Sequence, residues 1–268
     1  LDAARRRAEE MVSEGASWID IGGESTRPGS SPVAEKEELE RVLPITEALI
    51  ESGLPAKISI DSQKGLVAQE TLALGVHMIN DVSGGRQDPG LLEAVAAAQS
   101  SSKPDSEGPL VCLMHMQGTP QTMQQDPRYD DPVAEIKSEL QERLSAGLKA
   151  GIPLSKIVLD PGIGFGKRLA DNLVLLRRLD EFRELGRPLL LGVSRKGFIG
   201  ALGGHDRPTD RVGGTAAAVA LCVERGAAIL RVHDVAAMDE AVRVAVAISR
   251  PDLPVPGPPS PRSRPFAP

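Results

Sequence analysis

A chain of 268 residues with a formal net charge of −6 carries no basic surplus to hold a nucleic-acid backbone, and its 31 lysines and arginines form no tract. No apolar run approaches the ~20 residues that span a bilayer, and no secretory leader opens the sequence, so a cytoplasmic protein is expected. The two cysteines, Cys112 in an apolar strand and Cys222 in an alanine-rich helix, suit small buried thiols of a reducing compartment and not a disulfide or metal site.

In chain order, residues 1 to 14 read as an amphipathic helix with Ala4, Ala8, Met11 and Val12 inward, stopped by Gly15. Ser17 to Ile21 is a strand, followed by the loop GGESTRPG from Gly22 and a helix from Glu35 to Ile50. The unit then repeats. Lys57 to Ile60 is a strand ending in Asp61 and Ser62, and its helix carries Leu66, Val67 and Leu72 as far as Gly75. Val76 to Ile79 ends in Asn80 and Asp81, and a helix runs from Pro89 to Ala98. The polar stretch Gln99 to Gly108 reads as a surface insertion. Pro109 to Met114 is a strand ending at His115, and the next helix shows a core stripe of Ile136, Leu140, Leu144 and Leu148. His115, between two methionines, reads more readily as a packed histidine than as a catalytic one.

Ile157 to Leu159 leads into DPGIGFGK, Asp160 to Lys167, where three glycines in five residues let a flat ligand approach the backbone. A phosphate-binding P-loop needs four residues before its Gly-Lys pair, and a dinucleotide fingerprint needs GxGxxG, so neither fits. Phe165, one of six aromatic residues, can lie against a planar substrate. A helix with Leu173, Leu176, Leu179 and Phe182 follows, then a strand from Pro188 to Val193 ending in Ser194, Arg195 and Lys196. Ala227 to Val232 is the last strand, ending at His233 and Asp234, and the proline-rich stretch 251–268 reads as a disordered or extended tail.

Seven strands, each followed by a helix and each with polar groups at its carboxyl end, predict a (β/α)8 TIM barrel short of one unit. A doubly wound open sheet is the structural alternative, but it gathers ligand groups at one switch point and not at every strand end. In a barrel those ends converge, bringing together Glu24, Thr26, Arg27, Asp61, Asn80, His115, Asp160, Lys196, Arg231 and His233. Asp61, Asn80, Asp160 and Lys196 present donors and acceptors for the edge of a heterocycle. Arg231 and His233, alternate residues of one strand, project to the same side and suit phosphate oxygens. For any single residue of this set a rim ion pair, such as Arg231 with Asp234, explains the charge equally well.

With those motifs assembled, the chain resembles the dihydropteroate synthases from about Leu1 to Ile248. The motifs are GGESTRPG at Gly22, SIDS at Ser59, INDVSGG at Ile79, LMHMQGTP at Leu113, DPGIGFGK at Asp160, GVSRK at Gly192 and RVHDV at Arg231. The resemblance implies a barrel domain over residues 1–250. It implies a cytoplasmic transferase of folate biosynthesis that condenses 7,8-dihydropterin-6-ylmethyl diphosphate with 4-aminobenzoate, releasing 7,8-dihydropteroate and pyrophosphate. It carries the pterin pocket onto Asp61, Asn80, Asp160, Phe165, Gly192 and Lys196, and the diphosphate site onto Arg231 and His233. Asp61, Lys196, Arg231 and His233 are the expected catalytic set. The aminobenzoate site, where sulfonamides compete, falls on Thr26, Arg27, Pro28, Lys196 and Gly197. A homodimer through the last helices and a Mg2+ cofactor are implied as well.

Two departures bear on that expectation. Gly197 stands where the family often has serine, leaving a backbone N–H as the anion donor. The family's first strand, with its asparagine ligand for Mg2+, has no counterpart before Leu1, so no metal ligand is expected in this chain. Exposed edges on the Trp18 and Ile229 strands and a turnover lowered at least about a hundredfold are expected in consequence. A non-catalytic pterin-binding module and a pterin-dependent methyltransferase domain are the rival readings, although the latter would lack the combined GGESTRPG, SRK and RVHD set. A metal-dependent barrel hydrolase would show an HxH pair, which is missing here.

Overall fold

The computed structural model describes residues 1–101 and 108–249. Most of the polar insertion and all of the proline-rich stretch 251–268 lie outside those residues. In chain order the elements are α1 (Asp2–Ser13), β1 (Trp18–Gly22), α2 (Glu35–Glu51), β2 (Lys57–Asp61), α3 (Gly65–Ala73), β3 (Met78–Asp81), α4 (Pro89–Ser101) and β4 (Leu110–Met114). They continue with α5 (Pro132–Lys149), β5 (Ile157–Asp160), α6 (Leu169–Arg177), β6 (Leu190–Leu191), α7 (Gly197–Gly203), α8 (Val212–Glu224), β7 (Ile229–Leu230) and α9 (Val235–Ser249). All ladders are parallel, in the order β1-β2-β3-β4-β5 and β6-β7, with a bridge from Leu159 to Leu189 linking the two sets. The fold is the α/β architecture of a TIM barrel.

Strand alternation sorts the side chains into two layers. Ile58, Ile60, Ile79, Val111, Leu113, Ile157, Leu159, Leu189 and Leu191 belong to the large core shared with the helices. The intervening positions Met78, Cys112, Val158 and Leu190, with Trp18 and Ile229 against them, form a separate inner cluster with contributions from six strands. Two residues further along the same inward positions are Asp20, Asn80, Met114, Asp160, Gly192 and Arg231. The polar groups therefore sit directly above an apolar plug, as barrel geometry requires.

Among the described residues β1 pairs with β2 and β7 with β6, and no ladder joins β7 to β1. Between them lies a cleft of about 630 Å³ reaching Trp18, Asp20, Met78, Leu190 and Ile229. Side chains bridge the opening. Arg231 donates to Asp20 at 2.5 Å, and Arg7 of α1 donates to the His233 carbonyl at 3.3 Å. Trp18, the single tryptophan, stands edge-on to His77 at 6.3 Å, with Lys57 Nζ 5.4 Å from its ring centre.

Three elements differ in extent from the sequence reading. The helix expected to run through Phe182 ends at Arg177 and resumes as a 3-10 segment, Leu179–Leu185. Arg178 leaves helical geometry there, its guanidinium bound to Asp131 at 3.0 Å and to Glu181 at 2.6 Å. The last two strands are only two residues long. Both cysteines are free and buried, and burial pushes the Cys222 thiol up to about 12.

The loop after β1 is anchored by a buried ion cluster. Lys64 Nζ contacts Glu24 and Glu38 together, and Glu38 is wholly buried with its Oε1 lacking a partner. Burial opposes the Lys64 charge, but the bonds to both carboxylates outweigh it and raise its pKa overall. Lys64→Met leaves Glu38 as a buried, uncompensated charge and should destabilise the protein by about 3 kcal/mol in urea unfolding. A loss below about 0.5 kcal/mol would show that the cluster is solvated and contributes little.

Candidate active site

At the carboxyl ends of the strands, thirteen side chains and backbone segments enclose a small cavity of about 40 Å³. Its walls include Thr26, Asp61, Asn80, Asp160, Phe165, Gly192, Lys196, Arg231 and His233, so nine of the expected residues meet there. Arg27, Pro28 and Gly197 are exposed and lie outside its lining. Glu24, expected at the mouth, is turned toward Lys64 instead. His115 is buried behind the cavity wall and faces Lys167.

Each side chain arrives by a local rule. Register aligns Gly22 with Asp61, Asp61 with Asn80, and Met114 with Asp160, so adjacent strands deliver their polar ends at one level. Asp160 Oδ1 accepts from the Gly162 N–H at 2.6 Å, turning the chain into the glycine loop. Gly162 has φ of +69°, and a Cβ there would lie 1.9 Å from the His115 carbonyl oxygen, so no other residue fits. Phe165 leaves this loop toward Lys196, whose Nζ sits 4.0 Å from the ring centre. Lys196 follows Arg195, a non-glycine residue at φ of +58°. That strained turn is held from three directions: Arg195 pairs with Asp234, its N–H donates to Thr215 Oγ1 at 3.1 Å, and its carbonyl accepts from Arg211 at 2.9 Å.

Two functional neighbours escaped the sequence reading. Asp20 is one, bonded to Arg231 and 3.4 Å from Asn80 Nδ2. The alternation Trp18, Asp20 on the inward face of β1 is the signal that would have found it. Arg195 is the other, visible only as the middle of SRK. The loops above are also tied together: the Gly29 N–H donates to the Pro120 carbonyl at 3.1 Å, and Gln121 donates to the Ser30 carbonyl at 3.4 Å.

The electrostatics are those of charge held away from water. Burial pushes Asp61 up to about 7, with Arg231 pulling the other way and Asp20, Glu38 and Asp81 adding to the rise. Burial also raises Asp160 to about 6, against the Gly162 N–H and the charges of Lys196 and Lys167. Lys196 is lowered by burial to about 8. His233 is lowered by burial and by Arg195 and Arg231, so it is largely neutral near pH 7. Arg231 Nη2 reaches Asp61 Oδ2 at 2.9 Å, while Asp61 Oδ1 and Asp20 Oδ1 are buried without partners. Arg231 itself is 45% accessible, because it also walls the larger cleft. Such a set can bind a flat polar ring against Phe165 and an anion beside Arg231.

Polar groups converge here at the carboxyl ends of barrel strands, and the chain belongs to the family of pterin binding enzymes, whose pattern matches residues 1–233. Within it the chain stands with the dihydropteroate synthases. That of Escherichia coli strain K12 is 44% identical over 244 residues, covering 91% of this chain and 82% of the relative. The Yersinia pestis dihydropteroate synthase, solved with a sulfonamide drug complex, has a TM-score of 0.86 at 44% identity, covering 92% of this chain and 86% of that one. The Thermus thermophilus enzyme, solved with 4-aminobenzoate, has a TM-score of 0.82 at 44% identity, covering 92% of this chain and 90% of that one.

The raised pKa of Asp160 has a measurable consequence. Its folded value of about 6 exceeds the ordinary 3.8, so folding takes up a proton between those values and the fold loses stability as pH rises through 6. Asp160→Asn keeps the acceptor for Gly162 and removes the buried charge. Its melting temperature should exceed that of the parent at pH 8, with the gain shrinking as pH falls toward 4. Calorimetry should show dihydropterin affinity falling on the order of 1 to 3 kcal/mol in the same variant. A gain in melting temperature that is independent of pH, or an unchanged affinity, would remove Asp160 from the pocket.

Proposed function

We propose that this chain condenses 7,8-dihydropterin-6-ylmethyl diphosphate with 4-aminobenzoate, giving 7,8-dihydropteroate and pyrophosphate. The observation that carries the reading is the meeting of Asp61, Asn80, Asp160, Lys196, Arg231 and His233 around one cavity. Asp160 and Asn80 pair with the amino and ring N–H edge of the pterin, with Phe165 and Gly192 against its faces. Lys196 donates to the ring and spans toward the aminobenzoate site. Thr26, Arg27, Pro28 and the Gly197 N–H shape the aminobenzoate side, where a sulfonamide competes.

Arg231 lines both this cavity and the wider cleft, and its guanidinium is engaged by Asp20 and Asp61. Substrate entry therefore draws Arg231 away from Asp61 and onto the diphosphate, joined by His233, whose protonation becomes more favourable beside an anion. The methylene C–O bond then breaks with its electron pair passing to the diphosphate. The positive charge developing on the methylene favours the ionised form of Asp61, which stabilises it. The amine nitrogen lone pair of 4-aminobenzoate forms the C–N bond, and the nitrogen gives its surplus proton to water. Positioning and electrostatics suffice, without a covalent intermediate.

Mg2+ is the cofactor implied by the family resemblance, and it would neutralise the departing diphosphate. Among the described residues no three His, Cys, Asp or Glu side chains form a metal group. The partnerless oxygens Asp20 Oδ1 and Asp61 Oδ1 belong to carboxylates whose other oxygens are held by Arg231. These residues do not by themselves fit the ion, and the steps above use the chain's own groups.

We assign residues 1–250 to a single barrel domain working in the cytoplasm; no described helix is long and apolar enough to cross a membrane. The reaction is tested by incubating the protein with both substrates and measuring dihydropteroate and pyrophosphate. Pterin binding without either product would instead favour a pterin-binding module. Arg231→Gln should lower turnover by about 10² to 10³ while weakening a dihydropterin that lacks the diphosphate much less. Equal effects on both would remove Arg231 from the diphosphate site.

The assembly is a homodimer through the last helices. Leu221 of α8 with Val244 and Ile248 of α9 expose apolar side chains that a partner copy would cover. Light scattering at micromolar concentration should give twice the chain mass, and a monodisperse monomer would contradict the assignment.

A further inference from the structure

The loop Asp160 to Lys167 ends on a lysine that does not point at the cavity. Lys167 is 3% exposed and turns back beneath its own loop. Its Nζ donates to the Phe165 carbonyl at 2.9 Å, meets His115 Nδ1 at 2.9 Å and reaches the His115 carbonyl at 3.5 Å. His115 is held near pH 4 by burial and by the Lys167 charge, so its ring is neutral. With Nδ1 accepting from Lys167, the ring proton lies on Nε2, 3.4 Å from Glu139 Oε1 of α5. Bonds from other elements complete the cradle: Tyr129 Oη donates to the Gly166 carbonyl at 2.7 Å, and Asn172 Oδ1 accepts from the Gly164 N–H at 2.7 Å.

Burying an ammonium is expensive, and a neutral side chain could fill the same space. Burial accordingly pulls Lys167 down to about 7, opposed by Asp160, Glu139 and Asp171 and assisted by Lys196. What the charge provides lies on the other side of the loop. It helps to lower the pKa of Asp160, and its bond to the Phe165 carbonyl fixes the residue whose ring lies under Lys196.

We propose that Lys167 is a positioning residue for the pterin half of the site: a buried ammonium that ties the end of β4 to the β5 loop, sets Phe165 beneath Lys196 and keeps Asp160 ready to accept from the pterin. This rests on the dihydropteroate-forming reading. The groups facing Lys167 are His115 and Glu139 from the β4 and α5 side, Asp160 and Lys196 from the cavity side, and Asp171 from α6.

The test is the pH dependence of binding of 6-hydroxymethyl-7,8-dihydropterin, a probe that needs no turnover. In Lys167→Met, Asp160 loses a neighbouring positive charge and holds its proton to higher pH. The acid limb of the affinity profile should therefore move up by about one pH unit. Lys167→Arg keeps the charge and should keep the limb in place, with lower affinity because the Phe165 carbonyl is held differently. A limb in Lys167→Met that coincides with the parent, or one in Lys167→Arg that moves equally far, overturns the proposal. If Lys167→Met does not fold, the parent protein labelled with 13C-carboxyl aspartate decides the matter without ligand. Asp160, identified through Asp160→Asn, should show a second inflection near pH 7 as Lys167 loses its proton. A single inflection overturns the proposal, and failure of the reaction itself appears separately, as absence of dihydropteroate from the parent.

Discussion

The guanidinium of Arg231 between Asp20 and Asp61 is the contact on which the rest of the site depends. It sits at the end of β7 and reaches β1 and β2, where among the described residues no backbone ladder closes the sheet. One side chain thus spans the open side of the barrel, pairs with two carboxylates that water cannot reach well, and lines the space a substrate must enter. Each of these roles makes the others possible. The pair Asp20 and Asp61 would repel if left alone, and an anion arriving at Arg231 exchanges one set of carboxylates for phosphate oxygens.

Beneath that contact the architecture is a matter of parity. Parallel strands present alternate residues to the barrel interior, so the apolar layer of Trp18, Met78, Val158 and Ile229 is followed two residues later by Asp20, Asn80, Asp160 and Arg231. A one-residue slip in a strand would swap its inward and outward side chains, turning its site residue out to the helices. The lysines and aspartates carry shifted pKa values for the same reason: the layer that supports them also removes them from solvent.

How much of this could be read from residues alone follows from the same geometry. Asp61, Asn80, Asp160 and Arg231 were legible because each directly follows apolar strand residues, and Lys196 and His233 because they lie just past strand ends, positions that a barrel collects. Asp20 was not, because it lies inside its strand and only the alternation from Trp18 marks it as inward. Lys167 closes a conspicuous motif, yet no pattern tells whether a lysine after a glycine loop points at a ligand or folds beneath the loop. The helix break at Arg178 was hidden for a similar reason, since its cause, Asp131, is distant in sequence.

The solitary indole of Trp18 gives this molecule a built-in optical reporter. It lines the cleft between β1 and β7, edge-on to an imidazole that burial and Lys57 hold below its usual pKa. Tryptophan emission therefore comes from that one side of the barrel alone. Quenching by His77 sets in only where the ring takes up its proton, on the acid side of 6.5. At neutral pH the ring is mostly uncharged, and a change in the colour or intensity of the emission reports on the cleft that the indole lines.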